Sequence, residues 1–370
     1  MINYIYANNY KSFVNFKADF SQLSLVLGKN GSGKSNILFL IFQLRNLIQG
    51  RTRVLTESFP VSTLTRWLRS NIQTFEFGIA GYDKEFVYSL EIEQDRENNK
   101  CLIKSEEISC DGKCIYRTRE GKTVLYDEDG KEVSLLSDAS FSGISIVPDD
   151  NRYSKIKEFK ILIGQIILCI PDPKRMVSLV QNDVFLPDVD FSNIGSAYAG
   201  LMQLDMDICN EIMEEYRKVN PTFHKVRMNL TTFGKALTFD YKYNDVITSF
   251  DFSELSDGEK VIFSLYVLLV GYAKRGMTVL LDEPDNFVSI REIQPWCQEL
   301  ETELAEEGQC ILISHNSEII NYLAESNGIC ISRLRSGEST IIALDRVVGD
   351  NKDLLSYSEL MARGVFDEAE

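Results

Sequence analysis

The sequence shows neither a long apolar run nor the pattern of a signal peptide. The apolar run VIFSLYVLLVGYA at residues 261–273 is shorter than the roughly 20 residues that a membrane-spanning helix needs. The first residues, MINYIYANNYKSF, have neither the basic start nor the apolar core of a signal peptide. We therefore expect no transmembrane helix and a cytoplasmic protein.

Paired metal ligands are also scarce. The chain has two histidines, and its eight cysteines lack the paired C-x-x-C spacing of a zinc site. Cys110 and Cys114, at the two ends of CDGKC, are the one metal-like pair, and no second pair or nearby His completes four ligands. We expect the cysteines to be reduced residues of the core.

Positive charge is in the minority. The chain has 39 Lys and Arg against 55 Asp and Glu, a net charge of −16. This net negative charge repels nucleic acid overall, but it is compatible with a local basic groove. With 370 residues, 44% of them hydrophobic, the chain can bury one large core or two ordinary ones.

Segments that favour strands dominate the first 135 residues. NYIYA, SFVNFKADF and LSLVLG predict three strands, and apolar residues at helical spacing from Ile37 to Ile48 predict a helix after them. Between residues 71 and 135, short β-prone runs alternate with polar turns such as GYDK and CDGK. This alternation predicts an antiparallel meander.

Helices are predicted to follow, and then alternating helices and strands. Helical spacing covers Ser154–Ile170 and roughly Ile194–Lys218, and a hairpin is expected to turn at Asn244-Asp245. From a helix that starts at Asp257, helices alternate with the apolar strands TVLLDEP and CILISH. Such alternation is typical of α/β proteins.

A glycine-rich loop, GKNGSGKS at Gly28–Ser35, matches the pattern G-x-x-x-x-G-K-[ST] between an apolar strand and a predicted helix. In such a loop, backbone N–H groups and the positive end of the helix dipole face phosphate oxygens. Lys34 is expected to reach the β- and γ-phosphates, and Ser35 to offer its hydroxyl to Mg²⁺. The alternative is a glycine-rich turn that matches by chance. The predicted nucleotide-binding residues are Asn30, Gly31, Ser32, Gly33, Lys34, Ser35 and Asn36.

Two carboxylates end the apolar strand in MTVLLDEPD. A buried parallel strand would place both at the carboxyl edge of the sheet, where ligands bind in open α/β folds. Asp282 is then a Mg²⁺ ligand, and Glu283 polarises the attacking water. A helix-capping role is the alternative, and Pro284 disfavours it. His315 ends the neighbouring strand CILIS, a position that predicts a catalytic γ-phosphate sensor.

The run LSDGEK at Leu255–Lys260 has two interpretations. Ser256 or Asp257 can cap a helix, with Glu259 at the spacing of a capping box. A cap does not need Gly258, which costs about 1 kcal/mol of helix stability relative to Ala. The glycine therefore indicates that another group approaches closely, as in half of an active site completed by a second molecule.

Taken in order, the loop at Gly28, LSDGEK, LLDEP and ISH resemble the nucleotide-binding heads of ABC-type ATPases. That resemblance implies that Ser256, Gly258 and Glu259 bind the ATP held by a second copy, so that ATP joins two heads. The forms NGSGKSN and YIYANNYKSFVNFKADF resemble the non-transporter branch, the SMC-like, RecF-like and OLD-like heads. The implied fold is α/β, a P-loop NTPase head with an antiparallel β subdomain and a short helical lid.

Three domains are expected on this basis: an N-terminal ATPase lobe at residues 1–149, a helical lid or insertion at 150–245, and a C-terminal ATPase lobe at 246–370. Unlike the short lid, the long arms of SMC proteins would not fit between the motifs.

Two features depart from the family pattern. Many members carry a Leu-Asp pair at the dimer seam, where this chain has Val288-Ser289. Asp285 or Asn286 is then the candidate for the contact at the dimer seam. The glutamine that senses Mg²⁺ is not identified, and Gln73 and Gln165 are weak candidates for it.

Three functions are compatible with the motifs. The resemblance implies a Mg²⁺-dependent ATPase whose ATP-bound homodimer controls a separately encoded nuclease or toxin, in anti-phage or toxin–antitoxin defence. A DNA-repair or DNA-holding head is the second reading, which the net charge of −16 disfavours. A transporter subunit ranks last, because it would need a membrane partner. No second metal cluster follows ISH, so effector chemistry is expected from another chain.

Overall fold

A computed structural model describes residues 1–54, 58–81, 83–180, 184–304, 308–344 and 355–364. Within these residues the strands are β1 (Ile2–Asn8), β2 (Phe16–Asp19), β3 (Leu23–Leu27), β4 (Ile72–Ala80), β5 (Glu85–Asp95), β6 (Lys100–Cys110), β7 (Lys113–Arg119), β8 (Lys122–Tyr126), β9 (Glu132–Leu136), β10 (Ile166–Cys169), β11 (Leu179–Val180), β12 (Phe223–Thr231), β13 (Gly234–Tyr243), β14 (Val246–Asp251), β15 (Thr278–Asp282), β16 (Gln309–Ile313), β17 (Gly328–Arg333) and β18 (Ser339–Ile342). The helices are α1 (Lys34–Ile48), α2 (Ser154–Gly164), α3 (Ile194–Leu204), α4 (Met206–Val219), α5 (Asp257–Gly271), α6 (Ile290–Glu303), α7 (Ser317–Asn327) and α8 (Tyr357–Ala362). None of these helices has the length and apolarity needed to cross a membrane.

The chain forms two compact units. The first comprises Met1–Ser21, Val26–Ile166 and Gly328–Glu370, and the second comprises Gln22–Leu25 and Ile167–Asn327. In the first unit, an antiparallel sheet runs in the order β2-β1-β4-β5-β6-β7-β8-β9. This sheet contains the predicted meander, which is confirmed. The first unit also holds α1 and the antiparallel pair of β17 and β18.

The second unit contains buried parallel strands and an antiparallel hairpin sheet. β15 and β16 pair in parallel, and every residue of both is buried. Continuous apolar runs of this kind are typical of parallel strands covered on both faces. β13 pairs antiparallel with β11, β12 and β14. Helix α5 is buried from Val261 to Gly271, so it packs on all sides.

Two predicted helices are wrong in part. The helix predicted over Ser154–Ile170 ends at Gly164, and Ile166–Cys169 forms the fully buried strand β10. A short buried apolar run has no periodicity that separates strand from helix. The helix predicted over Ile194–Lys218 breaks at Asp205, whose extended backbone (φ −162°) ends α3 and whose side chain caps α4.

Strands β10 to β13 therefore lie inside the segment 150–245 that we expected to be mainly helical. The three-domain division at residues 149 and 245 stays a prediction.

Two local predictions are confirmed. Asn244 and Asp245 both have positive φ, 45° and 67°, at the turn between β13 and β14. This conformation is typical of a two-residue hairpin turn, which Asn and Asp tolerate. The cysteines are free thiols, and all are buried except the half-buried Cys114.

Candidate functional site

The glycine-rich loop, here called the phosphate loop (Gly28–Ser35), connects β3 to α1. Gly28 and Gly33 have φ of 147° and 111°, in the region that favours glycine. A Cβ at Gly28 would overlap the backbone oxygen of Ile331, and one at Gly33 would lie 2.9 Å from the Phe13 ring. In this conformation the packing and the positive φ angles favour glycine at both positions.

Residues far along the chain hold the phosphate loop. Ser339, the first residue of β18, donates from Oγ to the backbone oxygen of Ser32 (2.6 Å). Its Oγ also lies 2.7 Å from Ser12 Oγ, and its N–H donates to the Ser12 carbonyl (2.9 Å). Our reading of the sequence missed Ser339, because no local pattern relates positions 307 residues apart.

The side chains of the phosphate loop fit a phosphate group. Lys34 Nζ donates to the carbonyl oxygens of Gly28 (2.7 Å) and Lys29 (3.1 Å), so its ammonium lies over the loop. The buried Ser32 hydroxyl has no hydrogen-bond partner among the described residues. Asn30 and Gly31 are exposed, and Ser35 is half-buried at the start of α1. A helix N-terminus with a nearby ammonium and an unused hydroxyl is a binding site for anions.

Lys11 adds a second cation that our sequence reading also missed. Its Nζ donates to Asn36 Oδ1 (2.8 Å) in the first turn of α1, and burial lowers the pKa of the Lys11 ammonium. Lys11 has φ of 51°, and its N–H donates to the Thr63 carbonyl (2.6 Å). Lys11 therefore links the start of α1 to Thr63, in the segment that follows this helix.

In the second unit, the carboxyl ends of β15 and β16 bring Glu283 and His315 together. The register pairs Asp282 with Ile313, and Glu283 N–H continues the ladder to the Ile313 carbonyl (2.9 Å). His315 Nε2 lies 3.5 Å from Glu283 Oε1. Glu283 has φ of 49°, an uncommon backbone for a residue other than glycine and one that occurs often at functional sites.

The loop after Glu283 supports its carboxylate. Asn286 Nδ2 donates to Glu283 Oε2 (3.0 Å) and is exposed. Asp285 is buried, and this burial raises the pKa of its carboxyl. Asp282 is buried as well, at the end of β15. Of the two residues proposed for the dimer seam, Asn286 is therefore the accessible one.

The segment Leu255–Lys260, here called the signature segment, begins α5. Ser256 caps the helix: its Oγ accepts from Glu259 N–H (3.3 Å), and Glu259 Oε2 accepts from Ser256 N–H (3.0 Å). Glu259 Oε1 also accepts from Tyr241 Oη (3.2 Å). The predicted capping box is confirmed, and Ser256 stays exposed to solvent.

Gly258 is required by the fold of the chain itself. A Cβ at Gly258 would lie 2.9 Å from the backbone oxygen of Phe287, in the loop that carries Asn286. The close approach that the glycine indicated is therefore at least partly intramolecular. It places the signature segment against the loop that supports Glu283.

Gly258→Ala is therefore expected to lower stability, although Ala favours helices by about 1 kcal/mol over Gly. The added methyl must displace the Phe287 carbonyl, and overpacking of this kind costs about 1–3 kcal/mol. Thermal unfolding measures the effect. Gly164→Ala is the control, since a Cβ on that helical glycine would meet its nearest neighbour at an ordinary 3.5 Å. Equal melting temperatures for the two variants would contradict the steric argument.

The predicted site residues thus fall into two groups, one in each unit. Asn30, Gly31, Ser32, Gly33, Lys34, Ser35 and Asn36 belong to the first unit, and Ser256, Gly258, Glu259, Asp282, Glu283 and His315 to the second.

Gln73 does not suit the Mg²⁺-sensing role. It is buried, donates to the Asn9 carbonyl (2.9 Å), and accepts from Gln94 (2.8 Å). Both ends of its amide are therefore used within the core. Gln165 follows the last residue of α2 as its C-cap, and its role stays open.

Comparison with known proteins identifies the family of the chain. A family model described as "AAA domain, putative AbiEii toxin, Type IV TA system" matches residues 121–321, more than half of the chain. The match includes the signature segment, Glu283 and His315, and lies outside the phosphate loop. No curated protein sequence matches the chain.

Solved structures of SMC heads are similar in fold. One is the SMC head bound to the C-winged helix domain of ScpA, with a TM-score of 0.57 and 16% identity over 93% of this chain and 99% of that one. Another is the Pyrococcus furiosus SMC head with an extended coiled coil, bound to the C-terminal domain of ScpA, with a TM-score of 0.50 and 15% identity over 98% of both chains. The predicted fold, a P-loop NTPase head with an antiparallel β subdomain, is confirmed.

Proposed function

This chain belongs to the AAA family described as a putative AbiEii toxin of a type IV toxin–antitoxin system, and from that premise we propose an ATP-driven switch. The chain binds and hydrolyses ATP, forms a dimer with a second copy when ATP is bound, and controls a separately encoded effector. The biological setting that we propose is anti-phage defence.

Nucleotide binding is assigned to the phosphate loop. The observation that carries the assignment is the packing that admits only glycine at Gly28 and Gly33, with the Lys34 ammonium folded over the loop. Backbone N–H groups and Lys34 bind the phosphates of ATP. The proposed ligands of Mg²⁺, which neutralises phosphate charge when bound, are Ser35 in the first unit and Asp282 in the second. Hydroxyl and carboxylate oxygens are the ligands that Mg²⁺ prefers.

Hydrolysis is assigned to Glu283 and His315. The Glu283 carboxylate polarises the attacking water, and the hydrogen bond from Asn286 fixes one of its oxygens. His315, 3.5 Å from the other oxygen, is positioned to report on the γ-phosphate through Glu283. Neither side chain is buried, so both are open to solvent and substrate.

Dimerisation is assigned to the exposed start of α5. Ser256 is exposed although it caps the helix, and the N–H groups of the first turn carry the positive end of the helix dipole. The signature segment thus offers an anion site for the γ-phosphate of an ATP bound by the second copy. Glu259 holds Ser256 in place through the capping box.

Control of an effector is assigned to parts of the chain that nucleotide chemistry does not use. Within the described residues no cluster of His, Cys, Asp and Glu could hold a metal ion for nuclease chemistry. Two strands lie at sheet edges: β9 ends the first sheet and exposes Leu136, and β14 exposes Val246 and Ile247. Exposed edges accept a strand from a partner.

Purification from the native host is expected to recover a stable complex with a nuclease or toxin, and the yield should change with ATP. The reason is that the proposed switch passes its nucleotide state to the effector by contact. Affinity capture of the tagged chain with ATP, ADP or no nucleotide, followed by mass spectrometry, measures this. Leu136→Ser, which removes an exposed apolar side chain from the edge strand β9, should lower the yield of the complex. The control is Phe233→Ser, which removes an exposed apolar side chain outside the two edge strands and should leave the yield unchanged.

Recovery of a lone homodimer that reconstitutes full biological activity with ATP alone would contradict effector control. Recovery of DNA in place of a protein partner would favour the DNA-holding alternative. ATP binding by the purified chain is measured in a separate experiment. The test of the nucleotide site therefore does not depend on which partner is recovered.

A further inference from the structure

Tyr241 contacts the signature segment, and the functions proposed above do not use it. It belongs to β13 and is 2% exposed. Its hydroxyl donates to Glu259 Oε1 (3.2 Å), in the first turn of α5. A hydroxyl that donates to a carboxylate makes a stronger hydrogen bond than one that donates to a neutral group. Tyr241 is therefore a direct support of the segment to which we assign dimerisation.

The two oxygens of the Glu259 carboxylate have different partners. Oε2 accepts from the N–H and the hydroxyl of Ser256 (3.0 and 2.8 Å), whereas Oε1 accepts from Tyr241. All three residues lie in the second unit. A bond to each oxygen fixes the last torsion of the glutamate, which has a broad distribution when it is unsupported. Tyr241 therefore keeps Oε2 directed towards Ser256.

Two other helices show that a helix cap does not need this tyrosine. Ser289 with Glu292 begins α6, and Ser356 with Glu359 begins α8, each with the same capping box. Within the residues that the structure describes, both glutamate side chains accept hydrogen bonds from their own capping serines alone. The bond from Tyr241 is thus an addition to the cap, at the helix that carries the signature segment.

The side chain of Tyr241 is itself held in place. Its backbone pairs with Phe223 in β12 and with Thr248 in β14. Its ring meets the rings of Phe223 and Phe250 edge to face, at centroid distances of 6.0 and 5.6 Å, and stacks on Tyr243 at 6.3 Å. Burial raises the pKa of Tyr241 above its ordinary value, so the hydroxyl stays protonated and remains a donor.

We propose that Tyr241 is a positioning residue of the ATP site shared by two copies, acting through Glu259 to orient Ser256. This inference rests on the proposed ATP-bound dimer and adds to it a residue of the antiparallel hairpin sheet. Without the hydroxyl, the Glu259 carboxylate is free to turn, which loosens Ser256 and brings negative charge closer to the γ-phosphate of the second copy. Both effects weaken ATP-dependent dimerisation and hydrolysis, and neither changes the residues of the phosphate loop.

Tyr241→Phe is expected to lower ATPase activity by about 10- to 150-fold, the effect of losing one hydrogen bond to a charged group. ATP affinity, measured at dilutions where the chain is monomeric, should be unchanged. The melting temperature should fall by only a few degrees, because the ring and its contacts remain.

Tyr243→Phe is the control, since it removes a hydroxyl from the ring stacked on Tyr241. It should hydrolyse ATP at the wild-type rate. A wild-type rate in Tyr241→Phe, or an equal loss in both variants, would overturn the positioning role.

Mixing of variants shows which copy has the defect. Tyr241→Phe carries an intact phosphate loop, and Lys34→Ala carries an intact signature segment with its own Tyr241, so one site of each heterodimer is complete. An equal mixture should therefore regain about a quarter of the wild-type activity at concentrations where the wild type is dimeric. A loss of rate through general destabilisation of the variant would persist in the mixture.

The mixture of Ser256→Arg with Lys34→Ala, assayed at the same time, separates this inference from the proposed function. Recovery in that mixture, without recovery for Tyr241→Phe, would reject the positioning role and leave the shared site standing. No recovery in either mixture would reject the shared site and the role of Tyr241 together. A wild-type chain that does not hydrolyse ATP would overturn the proposed function, and this role with it.

Discussion

Glu283→Gln is expected to bind Mg-ATP as the wild type does and to hydrolyse it at least about a hundredfold more slowly. The amide keeps the size of the side chain and its position at the end of β15, but it cannot accept a proton from water. A positioned base supplies about 10²–10⁴ in rate. Since the hydrogen bond from Asn286 Nδ2 is to one carboxylate oxygen, the amide of Gln can accept the same bond through its own oxygen.

Single-turnover hydrolysis and ATP titration, carried out on the same protein, separate the two effects. Glu318→Gln is the matched control, with the same chemical change three residues after His315, in the first turn of α7. It should hydrolyse ATP at the wild-type rate. Near-normal turnover by Glu283→Gln would reject Glu283 as the base, and loss of ATP binding would show that its carboxylate serves the structure of the site.

Local sequence patterns predicted the parts of the site that are continuous in the chain. The phosphate loop, the carboxylates Asp282 and Glu283 at the carboxyl end of β15 and the capping box of Ser256 each depend on residues a few positions apart, where spacing carries the information. The hairpin turn at Asn244-Asp245 was predictable for the same reason, since its two positive φ angles suit Asn and Asp.

Contacts between distant segments could not be predicted in this way. Ser339 holds Ser32 from 307 positions away, and nothing in STII marks it as a partner of the phosphate loop. Gly258 indicated a close approach, but the sequence could not identify the Phe287 carbonyl as the group that approaches. Strand β10 was missed because a buried apolar run of four residues satisfies both helical and strand patterns.

The proposed dimer has active sites formed by two copies of the chain, and this property predicts a large effect on ATPase activity when variants are mixed. Ser256 caps its own helix and is exposed, so it can serve the fold of one copy and the nucleotide of another. Ser256→Arg places a bulky cation at this surface and also removes a cap, a loss of about 1 kcal/mol. Ser356→Arg controls for the cap alone, because Ser356 forms the same capping box with Glu359 at the start of α8. That control should keep ATPase activity.

Ser256→Arg and Lys34→Ala are each expected to be inactive alone and to regain activity when mixed. In a heterodimer, one site combines the intact phosphate loop of the first variant with the intact signature segment of the second. Random pairing of equal amounts makes half of the dimers heterodimers with one intact site of two, so activity should reach about a quarter of the wild-type value in a two-fold symmetric dimer. No recovery, with heterodimers shown to form, would count against a shared site.

A second mixture distinguishes a site shared between two copies from a site within one chain, because the two models predict different ATPase activities. When the double variant Ser256→Arg/Lys34→Ala is mixed with an equal amount of wild type, a shared-site heterodimer has no intact site. Only the wild-type homodimers then work, and activity should fall to about a quarter of that of the same total amount of wild type. If each chain used its own Ser256, the heterodimer would keep one intact site and the mixture would retain about half. Subunit exchange is followed with differently tagged chains, and a value near one half would place Ser256 in the site of its own chain.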